Sequence, residues 1–208
     1  GTTNKFYVQI GFDHATWYDG PSNSRLLHEQ GWDGLLLDAA RMNYGMNLYM
    51  EEIDPDSIAR KLTQHDVPND PDYLSIDLTG CDLQVFLAVI QDFSPRVISV
   101  EYNSNWELGE SVTNICTDAY GGQYEHTLGD DIFGASLTAL MKAGKKNGYT
   151  LVTTEKGLEV FFVREDLVCD NTEVDPESFR PDTGIKAGWR HVGEDDPLRQ
   201  RWTITYDP

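Results

Sequence analysis

Short apolar runs that alternate with helix-period segments predict an α/β chain, a Rossmann-like and mostly parallel sheet that ends in a C-terminal antiparallel hairpin. Three observations carry this. The runs at 6–12, 34–38, 73–78 and 96–102 are the length of buried strands, and helical spacing lies before or after most of them. Several of the runs stop at an acid, as in Leu35-Leu-Leu-Asp38 and Tyr73-Leu-Ser-Ile-Asp77. Finally, Thr150-Leu-Val-Thr-Thr154 and Leu158-Glu-Val-Phe-Phe-Val163 are parted only by Glu155-Lys-Gly157, a hairpin signal.

Taken in order, Phe6 to Phe12 reads as a first buried strand that opens into a loop at Gly11-Phe-Asp13-His14. Ser22-Asn23-Ser24 offers N-caps for a short helix over 22–30, stopped by Gly31, with an apolar face toward the sheet. Gly34 to Asp38 is the second strand and Asn47 to Ile53 the third. The eight or so residues between them are too few for a crossover helix, which predicts a tight loop or a single helical turn. Asp54-Pro55 is a cap followed by a Pro at the first helical position, and Ile58, Leu62 and His65 share a face of the helix that follows.

The strand 73–78 leads to a helix over 81–92 with Leu83, Phe86, Leu87 and Ile90 inward, and then to the strand 96–102, a βαβ alternation with right-handed crossovers. Residues 103–132, with Gly121-Gly122, form a long polar loop and a candidate lid. Gly134 to Asn147 reads as a helix whose closing lysines suit its dipole, with Gly148 as its stop. The chain divides into one domain over 1–168 and an acidic, Pro-containing extension over 169–208, which from Asp170 onward reads as an extended tail with Trp189, Trp202 and Tyr206 as candidate docking points.

Composition narrows the function. The 208 residues carry 35 acids against 16 bases, a formal charge of −19, which opposes a nucleic-acid backbone or an anionic membrane as main partner. Such a charge serves solubility, as in a salty setting, or attracts a cation or basic ligand. Cys81, Cys116 and Cys169 are three at wide spacing and read as free thiols. No apolar run is long enough for a membrane span, and no basic-then-apolar leader precedes Phe6. The expectation is a soluble chain, cytoplasmic by default, acting on a small-molecule substrate.

Several segments resemble class I S-adenosylmethionine-dependent methyltransferases, particularly the FkbM-like group. Val8-Gln-Ile-Gly11 looks like the first-strand motif, with Gln9 where an acid is usual. Asp19-Gly20 with Ser22-Asn23-Ser24, and Gly31-Trp-Asp-Gly-Leu-Leu-Leu-Asp38, are similar to the segments that follow. Ser75-Ile-Asp77-Leu-Thr-Gly80-Cys-Asp82, Pro95 to Asn103, Phe133 to Ser136 and Phe161 to Asp166 extend the likeness to about residue 168. This sequence departs from the group in the first loop, at Gln9 and in the short connection after Asp38.

The resemblance implies that S-adenosylmethionine is held by Gly11, Phe12, Asp13, Asn23, Asp38, Ala39, Asp77 and Leu78, with its methionine end over the first loop and its ribose hydroxyls at Asp38. A carboxylate suits a ribose because ionised acceptors make the stronger hydrogen bonds; the other reading of Asp38 is a surface loop acid. Asp77 points into the crevice at the strand ends, and Asp82 caps or charges the helix start. Asp77, Glu101 and Asn103 are the candidate catalytic residues: the acids take a proton and balance positive charge, and Asn103, with Asn105, orients an acceptor hydroxyl or satisfies loop backbone. The activity implied is O-methylation of a small molecule or sugar. Two other readings stand beside it: a diverged, non-catalytic fold serving as a binding module, and a metal-assisted enzyme drawing on Asp13, His14, Asp77, Glu101 or His126, for which no short ligand spacing speaks.

Overall fold

The computed structural model of the chain describes residues 3–78, 80–116, 132–155, 157–169 and 193–208. A seven-stranded sheet organises them. Its strands are β1 (Phe6–Ile10), β2 (Asp33–Asp38), β3 (Leu48–Met50), β4 (Tyr73–Ile76), β5 (Val97–Glu101), β7 (Tyr149–Glu155) and β8 (Glu159–Arg164), in the spatial order β3-β2-β1-β4-β5-β8-β7. β6 (Val112–Asn114) lies outside it. The first five strands of that order run parallel, while β8 is antiparallel to both β5 and β7. The predicted class therefore holds: α/β, with a Rossmann-like, mostly parallel sheet closed by the antiparallel pair β7 and β8.

The two faces of the sheet differ because the strand residues alternate. Val8, Ile10, Leu35, Leu37, Leu74, Ile76, Ile98, Val100, Val160 and Phe162 all point to one side. There they meet α2 (Ile58–Gln64), α3 (Asp82–Asp92) and α4 (Leu137–Lys146) through Ile58, Leu62, Leu83, Phe86, Leu137 and Leu140. Phe86 stacks on Phe162 with ring centroids 5.7 Å apart and meets Tyr149 edge-on. Gly144 lets α4 approach this cluster, since a Cβ there would lie 2.7 Å from the Phe162 ring. The other face carries Tyr7, Leu36 and Tyr73 under Phe12 and Trp17, and then turns polar toward the strand ends with Gln9, Ser75 and Ser99.

Local signals held with shifts of a few residues. α1 (Arg25–Glu29) is shorter than expected and buries none of its residues; Leu26 is 65% exposed and Leu27 alone leans on the second core. The reason lies in Ser24, whose hydroxyl goes to the Gln9 side chain at 2.6 Å instead of capping the helix. The connection from β2 to β3 is the short one predicted, a single 3-10 turn at Tyr44–Met46. Asp54 does accept from the Ser57 backbone N–H at 2.8 Å, but regular helix begins only at Ile58. Ser136 caps α4 by accepting from the Ala139 N–H at 3.1 Å, and Gly148 ends the helical run with φ +77.

Two expectations need correction. Cys81 and Cys116 form a disulfide, with Cα atoms 5.3 Å apart, and only Cys169 is free. Chain folding brings them together across 35 residues, which spacing alone cannot reveal. Nor is the far C-terminus wholly extended: α5 (Pro197–Trp202) is followed by β9 (Thr203–Thr205), which pairs antiparallel with β6, and Tyr206 packs against the main core. Gly121-Gly122, His126, half of the candidate lid, Trp189 and much of the extension lie outside the described residues. Among the described residues no helix is long and apolar enough to cross a membrane.

Truncating Phe86 removes a ring that the main core has no atoms to replace. Phe86→Ala should cost about 3–5 kcal/mol in urea unfolding, with the m-value unchanged. Leu26→Ala, at an exposed position, should change stability by less than about 0.5 kcal/mol.

Candidate active site

The carboxyl ends of β2, β1, β4 and β5 lie side by side, which is where an open parallel sheet forms its crevice. Gly11 is central to it. Its N–H donates to the Leu37 carbonyl at 2.9 Å, its φ is +88, and a Cβ at this position would lie 1.8 Å from the Asp77 carbonyl oxygen. Only glycine lets the first loop cross so close to the end of β4. Asp77 donates its own N–H to the Ile10 carbonyl at 3.0 Å, which locks the two strand ends together.

On the β2 side, Asp38 is 7% exposed and gathers nearby donors. Its carboxylate accepts from the Asp13 N–H at 3.3 Å and the Ala40 N–H at 2.9 Å, and the Arg41 guanidinium lies 3.5 Å away. Arg41 also pairs with Asp13 at 2.6 Å, so it bridges the two acids. Asp13 holds a left-handed conformation, φ +52, and its side chain is exposed. Ala39 is exposed beside Asp38. Phe12 behaves differently from its neighbours: its ring is buried edge-on against Trp17 at 5.1 Å, within the second core.

On the β4 side a buried polar network takes over. The Asn23 side-chain amide donates to Ser75 Oγ at 3.0 Å and to Glu159 Oε1 at 3.2 Å. Gln9 holds the segment that carries Asn23, since its Oε1 accepts from Ser22 Oγ, Ser24 N and Ser24 Oγ. This explains the amide where the resemblance expects an acid: one carbonyl oxygen gathers three donors, and no charge is buried. Beneath Glu159, the Tyr73 hydroxyl meets Ser99 Oγ at 2.8 Å.

Three carboxyl groups crowd this end of the crevice. Burial raises Asp77, the nearby Asp13 charge raises it further, and the Asn23 amide and His14 oppose the rise. Burial holds Asp82 well above the carboxylate range, although it accepts from the Leu78 N–H at 2.6 Å. Asp82 occupies the first turn of α3 and closes the 78–82 turn, as its helix-start position suggested. Glu159 is pushed up to about 9, first by burial and then by the charges of Asp77 and Asp82.

No local pattern marks Glu159, an acid inside the hairpin, as a site residue. Its signal is legible afterwards: an acid at the inward position of a strand whose other inward residues are apolar. It faces Glu101 directly across the β5–β8 ladder. Arg41, three residues after Asp38, likewise carries no local signal of its pairing with Asp13 and Asp38. The asparagines after β5 turn to the backbone: Asn103 donates to the Phe133 carbonyl at 3.2 Å and accepts from the Asn105 N–H at 2.9 Å. Gly11, Asp77, Leu78, Asn23 and Glu101 thus share one end of the sheet with Asp13, Asp38 and Ala39, whereas Phe12 and Asn103 serve packing and loop structure. Among the described residues no group of three His, Cys, Asp or Glu side chains converges as a metal site.

Because Glu159 binds its proton more tightly folded than unfolded, folding favours the protonated form. Stability is therefore full below the ordinary value of 4.5 and declines as pH rises toward about 9. Urea unfolding between pH 5 and pH 9 should show that decline, and Glu159→Gln should flatten it. An unchanged slope in the variant would remove Glu159 as its source.

Among solved structures, the chain is similar to MycE, a methyltransferase from the mycinamycin biosynthetic pathway, in complex with Mg and SAH. The TM-score is 0.44 and the identity 13%, over 81% of this chain and 48% of that one, so the chain spans about half its length. No family model and no curated protein matches the chain.

Proposed function

We propose that the protein is an S-adenosylmethionine-dependent methyltransferase of FkbM-like type acting on an oxygen of a small molecule or sugar. The observation that carries this reading is the alignment of Gly11, Asp38, Asp77 and Glu101 along the carboxyl ends of four neighbouring parallel strands. The residues fit the cofactor. Asp38 Oδ1 and Oδ2 each accept one backbone N–H and keep further lone-pair capacity for a ribose hydroxyl. Gly11 leaves backbone, with no side chain, at the point where the methionine end would lie.

The cofactor supplies a methyl group on a cationic sulfur. The chain's own residues would orient the acceptor hydroxyl toward that methyl group and take the proton the hydroxyl gives up. Glu101, at the end of β5, is the proposed proton acceptor. Asp77 offers negative charge beside Gly11, with the Asn23 amide favouring its ionised form. The enzyme mainly aligns the partners and excludes water, which is where most of the advantage in such a displacement arises.

A non-catalytic binding module is the second reading, favoured by the first loop. Phe12 is buried, Arg41 ties Asp13 to Asp38, and Gln9 is committed to Ser22 and Ser24. The bonded Cys81–Cys116 pair favours an oxidising compartment over the cytoplasm expected by default.

Calorimetric titration separates these readings. S-adenosylmethionine and S-adenosylhomocysteine should both bind, and Asp38→Ala should weaken both by at least about tenfold, roughly 1.4 kcal/mol. Absence of heat at millimolar ligand would leave the binding-module reading in place.

A further inference from the structure

We propose that Asn23, Asp77 and Glu159 form a subsite for the ammonium group of an amine-bearing small-molecule substrate, an inference that rests on the methyltransferase reading and names its substrate class. One carboxyl oxygen in this network has no hydrogen-bond partner at normal geometry among the described residues. Glu159 is only 7% exposed; Oε1 accepts from Asn23, and Oε2 is buried without a partner at hydrogen-bond geometry among the described residues, although the nearby Ser99 hydroxyl favours the ionised carboxyl. A buried polar oxygen left alone costs free energy, so a donor brought by a ligand gains more there than at the surface. Asn23 is exposed, which opens this end of the network to solvent. Its amide hydrogens are aimed at Ser75 and Glu159, which leaves its carbonyl oxygen as a further acceptor.

The surrounding charge selects a cation. Asp77 and Asp82 face Glu159 from β4 and α3, Tyr73 lies beneath it, and its ladder neighbours are Glu101 and Glu155. Asp13 and His14 stand beyond Asp77, and Arg41 is engaged with Asp13 and Asp38. A metal ion needs several converging ligands, and among the described residues no group of three His, Cys, Asp or Glu provides them. An ammonium needs only hydrogen-bond acceptors for its three N–H groups, and Glu159 Oε2, the Asp77 carboxylate and the Asn23 carbonyl oxygen supply them. Glu159 holds its proton in the free protein near neutral pH. As the ammonium arrives, the Glu159 carboxyl ionises, the carboxylate pairs with the cation, and the proton passes to solvent.

The test uses propylamine as probe, with n-propanol as its neutral counterpart, titrated calorimetrically at pH 7.5 into protein saturated with S-adenosylhomocysteine. Paired runs in buffers of different ionisation heat count the protons. Propylamine should bind with release of about one proton per site, n-propanol should not bind, and Glu159→Gln should weaken the amine at least about tenfold. The carboxyl carbon resonance of Glu159 in the unaltered protein should move to its ionised position as amine is added, a readout that needs no variant to fold. A Glu159 resonance that stays put, equal binding of n-propanol, or full affinity in Glu159→Gln would overturn the proposal. So would amine binding that S-adenosylhomocysteine abolishes, because the subsite would then belong to the cofactor's own amino group. If S-adenosylhomocysteine fails to bind while propylamine still ionises Glu159, the methyltransferase reading falls and the ammonium site stands.

Discussion

The crossing of Gly11 over the Asp77 carbonyl is the contact on which the rest of this molecule's chemistry depends. A side chain at residue 11 would overlap that carbonyl, and its φ of +88 lies where L side chains are strained. With glycine in place, the first loop lies against the ends of both β2 and β4. Asp13 and Asp38 are thereby set on one flank and Asp77 on the other. Separate that crossing, and three candidate residues lose their common frame.

The sheet then sorts its residues by face. One side is closed by α2, α3 and α4 over a continuous apolar core, the usual demand of strands buried in a parallel sheet. The other bears Gln9, Ser75 and Ser99 in matching register, with Asp77 and Glu159 toward the crevice. The Asn23 amide favours the ionised forms of Asp77 and Glu159 against their burial. Asn23 serves Ser75 and Glu159 together, and Gln9 anchors the segment that presents it. What remains is a crowd of buried carboxyl groups, in which Glu159 Oε2 and Asp82 Oδ2 have no hydrogen-bond partner among the described residues.

The opposite corner shows how the chain end joins the body. Arg199 pairs with Glu110 at 2.7 Å and lies over the Trp106 ring at 4.9 Å, while β9 adds to β6 and the Ser111 hydroxyl donates to the Tyr206 carbonyl at 2.6 Å. The disulfide ties Cys116, just after β6, to the start of α3. Together these contacts fasten the segment after β5 next to the acids of the 77–82 turn. The candidate lid is thus held at its near end by covalent and ionic links.

Periodicity and punctuation in the chain determined the sheet, the hairpin, the short link between β2 and β3, and the acids at strand ends, because alternation and turn chemistry act over a few neighbouring residues. Asp38, Asp77 and Asp82 were legible for that reason. Folding across long separations decided the remainder. The Cys81–Cys116 bond spans 35 residues, Asn23 meets Glu159 across 136, and β9 finds β6 near the far end of the chain. Phe12 turned inward onto Trp17 in the second core, and Asn103 was taken up by the Phe133 carbonyl, a partner that no local window contains. Glu159 belongs to this second group: its identity is written in the hairpin, but its burial, its neighbours and its held proton exist only once β8 lies against β5.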